Sequence, residues 1–232
     1  MTKVFAHRGS SSNLPENSWS AFEEAIRVGA DGIETDVHLS KDGHLVIMHD
    51  EKVDRTTDGS GWIKDMTLSE LQELDIGEGQ PVLTLSELLT RLTSIDYKGT
   101  LNLEVKTDKI HYSGIEALIS QQMTARKWPF TYVYSSFYYK SLVRLKEMEV
   151  FSETALLIGK RFYQLIRGEF SKSIDTLHPH YNYLPFLSHL SKRSRVWTVN
   201  DPQKIEKCLK HGYDVISNFP EIALKIKKEL NQ

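Results

Sequence analysis

The chain has a single cysteine, Cys208, among its 232 residues, which rules out an intramolecular disulfide and a cysteine-rich metal site. Long apolar runs are missing as well. The first, Val4-Phe5-Ala6, is stopped by His7 and Arg8, too short for a signal-peptide core. No later stretch approaches the roughly 20 apolar residues that a spanning helix needs. Neither sign of charge dominates: 29 basic against 31 acidic side chains leave a formal charge of −2. A bulk cationic field able to hold nucleic acid or an anionic membrane is therefore excluded. The lysines at 225, 227 and 228 read instead as a solvated helix end, where positive charge complements the helix dipole. Low-complexity linkers and internal repeats are absent too. These absences lead to the expectation of a cytoplasmic chain in a reducing setting, with no nucleic-acid partner and no stable membrane insertion.

What is present is ordinary globular material, 40% hydrophobic and 26% charged, in a chain long enough to bury a substantial core. Short β-rich runs at 3–7, 32–37, 101–106, 132–135, 154–158, 174–178, 195–200 and 214–217 alternate with helix-like stretches such as 18–28, 85–92, 112–126, 138–147 and 202–211. In the first of these stretches Trp19, Phe22, Ala25 and Ile26 recur at helical spacing, with Asn17 as the expected N-cap. Asp201 and Pro202 supply a cap and a first-turn proline to the last. Such alternation implies a parallel sheet with helices outside it, and eight units imply a closed (β/α)8 TIM barrel of the α/β class. An open doubly wound sheet is the competing architecture. Residues 51–81 break the rhythm with the turn-rich Asp58-Gly59-Ser60-Gly61 and a short helical stretch at 67–74. They read as a small insertion after strand 2 of a single domain spanning 1–232.

A barrel presents its functional groups at the C-terminal ends of its strands. There the sequence has His7-Arg8-Gly9, Glu34-Thr35-Asp36, Glu104-Val105-Lys106, Ser135, His178, Trp197 with Asn200, and Asn218. Side chains two apart on a strand share a face, so Glu34 and Asp36 project together, as do Glu104 and Lys106. Crowded carboxylates repel unless a proton or a cation lies between them. Glu34, Asp36 and Glu104 thus form a hard oxygen cluster suited to one divalent cation, Mg2+ or Ca2+. A glycosidase acid/base pair is the other use of such acids.

The histidines favour the first reading. His7 and His49 each sit in a compact polar motif, and imidazoles serve as general acid and base near neutral pH. His38, His44, His111, His180, His189 and His211 read as structural. Arg8 and Lys106 supply fixed positive charge for a phosphoryl group. Asp54-Arg55-Thr56-Thr57 either lines the mouth of the site or simply begins the insertion, and the aromatics Phe137, Tyr138 and Tyr139 read as core or helix start ahead of the other reading, substrate contact. Gly59-x-Gly61 lacks the Lys-Ser/Thr of a P-loop and reads as a turn.

Taken in order, His7-Arg8-Gly9, Pro15-Glu16-Asn17-Ser18, Gly32-Ile33-Glu34-Thr35-Asp36-Val37, His49-Asp50 with Arg55-Thr56-Thr57, Leu103-Glu104-Val105-Lys106, Ser135-Ser136-Phe137, Trp197-Thr198-Val199-Asn200 and Asp214 to Pro220 closely resemble the glycerophosphodiester phosphodiesterase family. The resemblance implies a (β/α)8 barrel with an insertion after strand 2. It also implies metal-dependent hydrolysis of a small-molecule glycerophosphodiester to sn-glycerol 3-phosphate and an alcohol. Matched motif by motif, Glu34, Asp36 and Glu104 would bind the metal, His7 and His49 would be the acid/base pair, and Arg8 and Lys106 would hold the phosphate. Glu16 would lie near the glycerol or metal end, Trp197 would wall the glycerol carbons, and His178 would assist at the rim. Two positions depart from the family pattern: Ser18 stands where Thr is common, and Asn218 where many members have Asp. A related lipid-cleaving phospholipase or a non-catalytic phosphodiester-binding barrel would share much of this pattern.

Overall fold

The computed structural model describes residues 1–159, 173–187 and 193–231. Among them, eight parallel strands form the barrel: β1 (Val4–His7), β2 (Gly32–Leu39), β4 (Thr100–Val105), β5 (Thr131–Ser136), β6 (Glu153–Ile158), β7 (Thr176–Pro179), β8 (Arg195–Val196) and β9 (Asp214–Ser217). The strand order is β7-β6-β5-β4-β2-β1-β9-β8. The ring closes between β7 and β8, where the Trp197 N–H donates to the Pro179 carbonyl at 3.0 Å and the Leu177 N–H to that of Arg193 at 3.1 Å. A short strand, β3 (Leu45–Ile47), folds back antiparallel on the end of β2.

The helices α1 (Trp19–Arg27), α2 (Leu68–Gln72), α3 (Leu85–Ser94), α4 (Ile115–Thr124), α5 (Tyr139–Met148), α6 (Leu184–Leu187), α7 (Pro202–Lys210) and α8 (Pro220–Leu230), together with the 3-10 helices Ile63–Asp65 and Tyr181–Tyr183, complete the described elements. Strands β2 and β4 are buried on both faces apart from the last residue of β2, as a parallel strand between a barrel interior and a helical layer must be. The larger core lies between strands and helices, with Phe22, Ile33, Leu85, Leu88, Leu92, Leu101 and Leu103 all inaccessible to solvent. Thr84 opens α3 through a reciprocal capping box with Glu87, and Asp201 with Pro202 opens α7 as expected. Cys208 is buried in α7. No helix among the described residues is long and apolar enough to cross a membrane.

Several local expectations change. The N-cap of α1 is Ser18, whose hydroxyl accepts from the Ala21 N–H at 3.1 Å. Asn17 sits one residue earlier with φ +60° and turns its carboxamide to β2 instead. Helix α4 is shorter than the 112–126 periodicity suggests, because Gly114 precedes it in a left-handed conformation at φ +83°. Strand β8 contributes two ladder residues where 195–200 was expected, and Asn200 instead accepts from the Asn218 N–H at 2.9 Å. The excursion over 51–81 carries a 3-10 turn and α2, and packs Val53, Ile63, Leu71 and Ile76 into a satellite cluster with Val46, Met48 and Val82.

Candidate active site

The first strand ends in a tight left-handed turn. Arg8 takes φ +56° and Gly9 φ +82°, and a Cβ on Gly9 would lie 2.6 Å from the Ala21 backbone. This tight reversal aims the Arg8 N–H at a Glu34 carboxylate oxygen, 2.9 Å away. A backbone donor and a side-chain cation thus come from the same residue, since the Arg8 guanidinium reaches Glu16 at 3.0 Å and Asp36 at 3.4 Å.

Glu34, Asp36 and Glu104 converge from β2 and β4, offering carboxylate oxygens that all lie within 4.8 Å of one another, and all three are buried. The pairing of Asp36 with Glu104 across the β2–β4 ladder is what brings them together. Burial drives the Glu34 carboxyl well above the usual range, with Asp36 and Glu104 adding repulsion. Burial likewise pushes Glu104 up to about 7, against the opposing pull of Lys106. For Asp36 burial also pushes upward, but Lys106 and Arg8 outweigh it and hold the carboxyl below its ordinary value. Two fixed cations, Arg8 and Lys106, face three acids, and the Asp36 Oδ1 has no hydrogen-bond donor among the described residues. A buried carboxylate oxygen without a donor, in a hard-oxygen cluster with surplus negative charge, fits a divalent cation.

His7 and His49 line one cavity of about 150 Å³ together with Arg8, Glu34, Glu104, Asn102, Ser135, Phe137, Leu157, Trp197 and Ile216. The His7 Nδ1–H donates to the Asn218 side-chain oxygen at 2.7 Å, and the ring's Nε2 lies 4.0 Å from Glu34. Burial, reinforced by Arg8, lowers the His7 imidazole to about 3. The His49 Nδ1–H donates to Asp50 at 2.5 Å, leaving Nε2 as the free nitrogen. Burial also lowers the His49 imidazole, while Asp36 and the Asp50 hydrogen bond oppose it. Behind Asp50 stands Arg55 of the excursion, whose Nε donates to Asp50 at 2.6 Å and whose two terminal nitrogens hold Glu16 at 3.0 and 2.7 Å. His49, Asp50, Arg55, Glu16 and Arg8 therefore form one continuous polar chain.

Lys106 pairs with Glu104 at 2.7 Å and Asp36 at 3.5 Å, beside the acids and outside the cavity lining. Glu16 joins Arg8 to Arg55 at the edge of the cluster. Trp197 does wall the cavity, its ring edge-on to Phe137 with centroids 5.5 Å apart. Phe137 is therefore a lining residue and not simply core. His178, expected at the rim, is wholly buried, with Nε2 3.1 Å from the Arg195 guanidinium and absent from the cavity lining. Only its backbone serves the site, accepting from the Trp197 Nε1–H at 2.5 Å. Arg195 itself lies within the barrel, paired with Glu153 at 2.7 Å. Of the other histidines, His38 is buried between the Tyr112 hydroxyl and the His49 carbonyl, and His189 lies outside the described residues.

Residue-by-residue reading of the sequence misses Asp50, Asn17 and Asn102 and leaves Arg55 open. Asn17 donates to Asp36 at 3.0 Å and accepts from Thr35 at 2.8 Å, tying the α1 entry to the acidic strand. Asn102 has a legible signal, since it stands two residues before Glu104 on the same face of β4. Spacing alone does not decide Arg55, because its partner Glu16 lies 39 residues away.

The chain resembles known proteins along nearly its whole length. Residues 7–222 match the model of the glycerophosphoryl diester phosphodiesterase family. The glycerophosphodiester phosphodiesterase of Caldanaerobacter subterraneus subsp. tengcongensis is 36% identical over 98% of both chains. Among solved structures, an Oleispira antarctica phosphodiesterase in complex with the product sn-glycerol-3-phosphate is 27% identical, with a TM-score of 0.82 over 100% of this chain and 98% of that one. A putative glycerophosphoryl diester phosphodiesterase from Agrobacterium tumefaciens, at 24% identity, shares the fold with a TM-score of 0.88 over 100% of this chain and 99% of that one. With the family match extending over nearly the whole length, the chain belongs to the glycerophosphoryl diester phosphodiesterase family.

Proposed function

We propose that this single-domain enzyme hydrolyses glycerophosphodiesters to sn-glycerol 3-phosphate and an alcohol, using one divalent cation and two histidines. The observation that carries the proposal is a cluster of three buried acids, two of which, Glu34 and Glu104, line one small cavity together with both imidazoles. Glu34, Asp36 and Glu104 would hold the cation, either Mg2+ or Ca2+, since both accept an all-carboxylate set. When bound, such an ion neutralises phosphate charge and lowers the pKa of a hydroxyl beside it.

The chain's own groups divide the remaining work. The Arg8 guanidinium holds a non-bridging phosphate oxygen, while Lys106, fixed between Asp36 and Glu104, adds positive charge behind it. His7 is the more enclosed imidazole, 15% exposed and beside Glu34, and so takes the proton of the attacking glycerol 2-hydroxyl. That oxygen forms the new bond to phosphorus in line with the departing alcohol. His49, 28% exposed and nearer the mouth, gives its proton to the alcohol oxygen as the old P–O bond breaks. Water then opens the cyclic phosphate with the two roles exchanged. Phe137 and Trp197 wall the glycerol carbons, and the leaving alcohol faces solvent. A reducing cytoplasm suits a chain whose one thiol is buried.

Turnover of a panel of glycerophosphodiesters, with and without EDTA and with add-back of each cation, tests the reading. Activity that EDTA abolishes and one cation restores is the expected result. Turnover that persists undiminished in EDTA refutes the metal role, and a panel left intact under every condition refutes the substrate class.

A further inference from the structure

Below the acids the cavity has a floor that the proposed chemistry does not use. Asn102 lies two residues before Glu104 on the same face of β4, about 6.6 Å deeper along the strand. Ser135 of β5 stands beside Glu104 in the ladder. Both line the cavity and both are 1% exposed. Among the described residues, neither the Asn102 carboxamide oxygen nor the Ser135 hydroxyl has a hydrogen-bond partner. Buried polar atoms are nearly always paired, so two in one cavity mark the place of a polar ligand group. Their neighbours Leu157, Ile216 and Trp197 are apolar, which suits carbon on the remaining sides.

We infer that Asn102 and Ser135 form a specificity subsite for the terminal hydroxyl of the glyceryl group. The inference rests on the function proposed above. With the phosphate held at Arg8 and the 2-hydroxyl near His7, the third carbon of the glyceryl unit is the part that points inward. A hydroxyl there can donate to the Asn102 oxygen and accept from the Ser135 hydroxyl, satisfying both. An alkyl end strands both protein groups in an apolar pocket, and such sites discriminate strongly against the analogue lacking the hydroxyl.

The test compares kcat/KM for glycerophosphocholine and for the phosphocholine diester of propane-1,2-diol esterified at its 1-position, which keeps the 2-hydroxyl and lacks the terminal one. The unaltered enzyme is expected to prefer the glyceryl diester by about 10²-fold. In Asn102→Ala and Ser135→Ala that preference shrinks to about 10-fold or less, chiefly because the glyceryl diester is lost. A preference near unity in the unaltered enzyme, which needs no variant to fold, overturns the inference. So does a preference that both variants retain while the two substrates fall in parallel. An unaltered enzyme that cleaves neither diester refutes the proposed function instead.

Discussion

His7 and His49 reach the same cavity with different supports: a neutral amide, Asn218, behind one and a carboxylate, Asp50, behind the other. An ionised acceptor stabilises a protonated imidazole better than an amide does, which agrees with His49 as the proton donor at the mouth. Replacing either histidine by alanine should lower kcat by about 10²–10⁴-fold while leaving the circular dichroism spectrum unchanged. Asp50 makes a second, separate prediction. Burial alone would raise its carboxyl, but hydrogen bonds from Arg55 and His49 prevail and lower it from its ordinary 3.8 to about 2. Because the folded value is the lower one, the stabilisation is complete above about pH 4 and disappears as the pH falls through about 2. Asp50→Asn should therefore lose less stability than the parent between pH 4 and pH 2 in denaturant titrations. An identical acid profile in both proteins would separate Asp50 from the stability of the fold.

Between β1 and α1 the chain turns in two left-handed steps, at Arg8 and Gly9, and this reversal delivers a backbone N–H to Glu34. Alanine at position 9 would meet the Ala21 backbone at 2.6 Å in a conformation unfavourable to it. Gly9→Ala should cost about 2 kcal/mol or more in chemical denaturation, and should also depress kcat by displacing Arg8. Much of this level was legible from sequence. Alternation located the strands, most of them to within a residue or two, and two-residue spacing identified the shared face of Glu34 and Asp36. The cap of α1 was less legible because Asn17 and Ser18 are both good cap residues, and only the tertiary pull of Thr35 and Asp36 on Asn17 decides between them. Spacing along β7 assigns His178 a face but not a depth, so a wholly buried neighbour of Arg195 resembles a rim residue. Arg55 was ambiguous because one of the acids it joins, Glu16, lies 39 residues away with no local periodicity to connect them.

Taken whole, the barrel holds three buried acids against two cations, so its stability depends on what shares that space. A cation that binds only the folded chain stabilises it by mass action. At a hundredfold excess over Kd the gain is about 2.7 kcal/mol, which for a chain of this size raises Tm by about 5–10 °C. Differential scanning calorimetry with and without EDTA reads this directly. Glu104→Gln should abolish the gain and, in EDTA, should melt above the parent because one repelling charge is gone. A variant that melts below the parent in EDTA would show the repulsion to be negligible.

The forked guanidinium of Arg55 has a consequence for how this scaffold can change. It belongs to a stretch that departs from strand–helix alternation, yet it is bolted to Asp50 on one side and Glu16 on the other. Any replacement loop, natural or grafted, inherits a fixed obligation to return a cationic fork to the same two carboxylates, or the mouth histidine loses its backing.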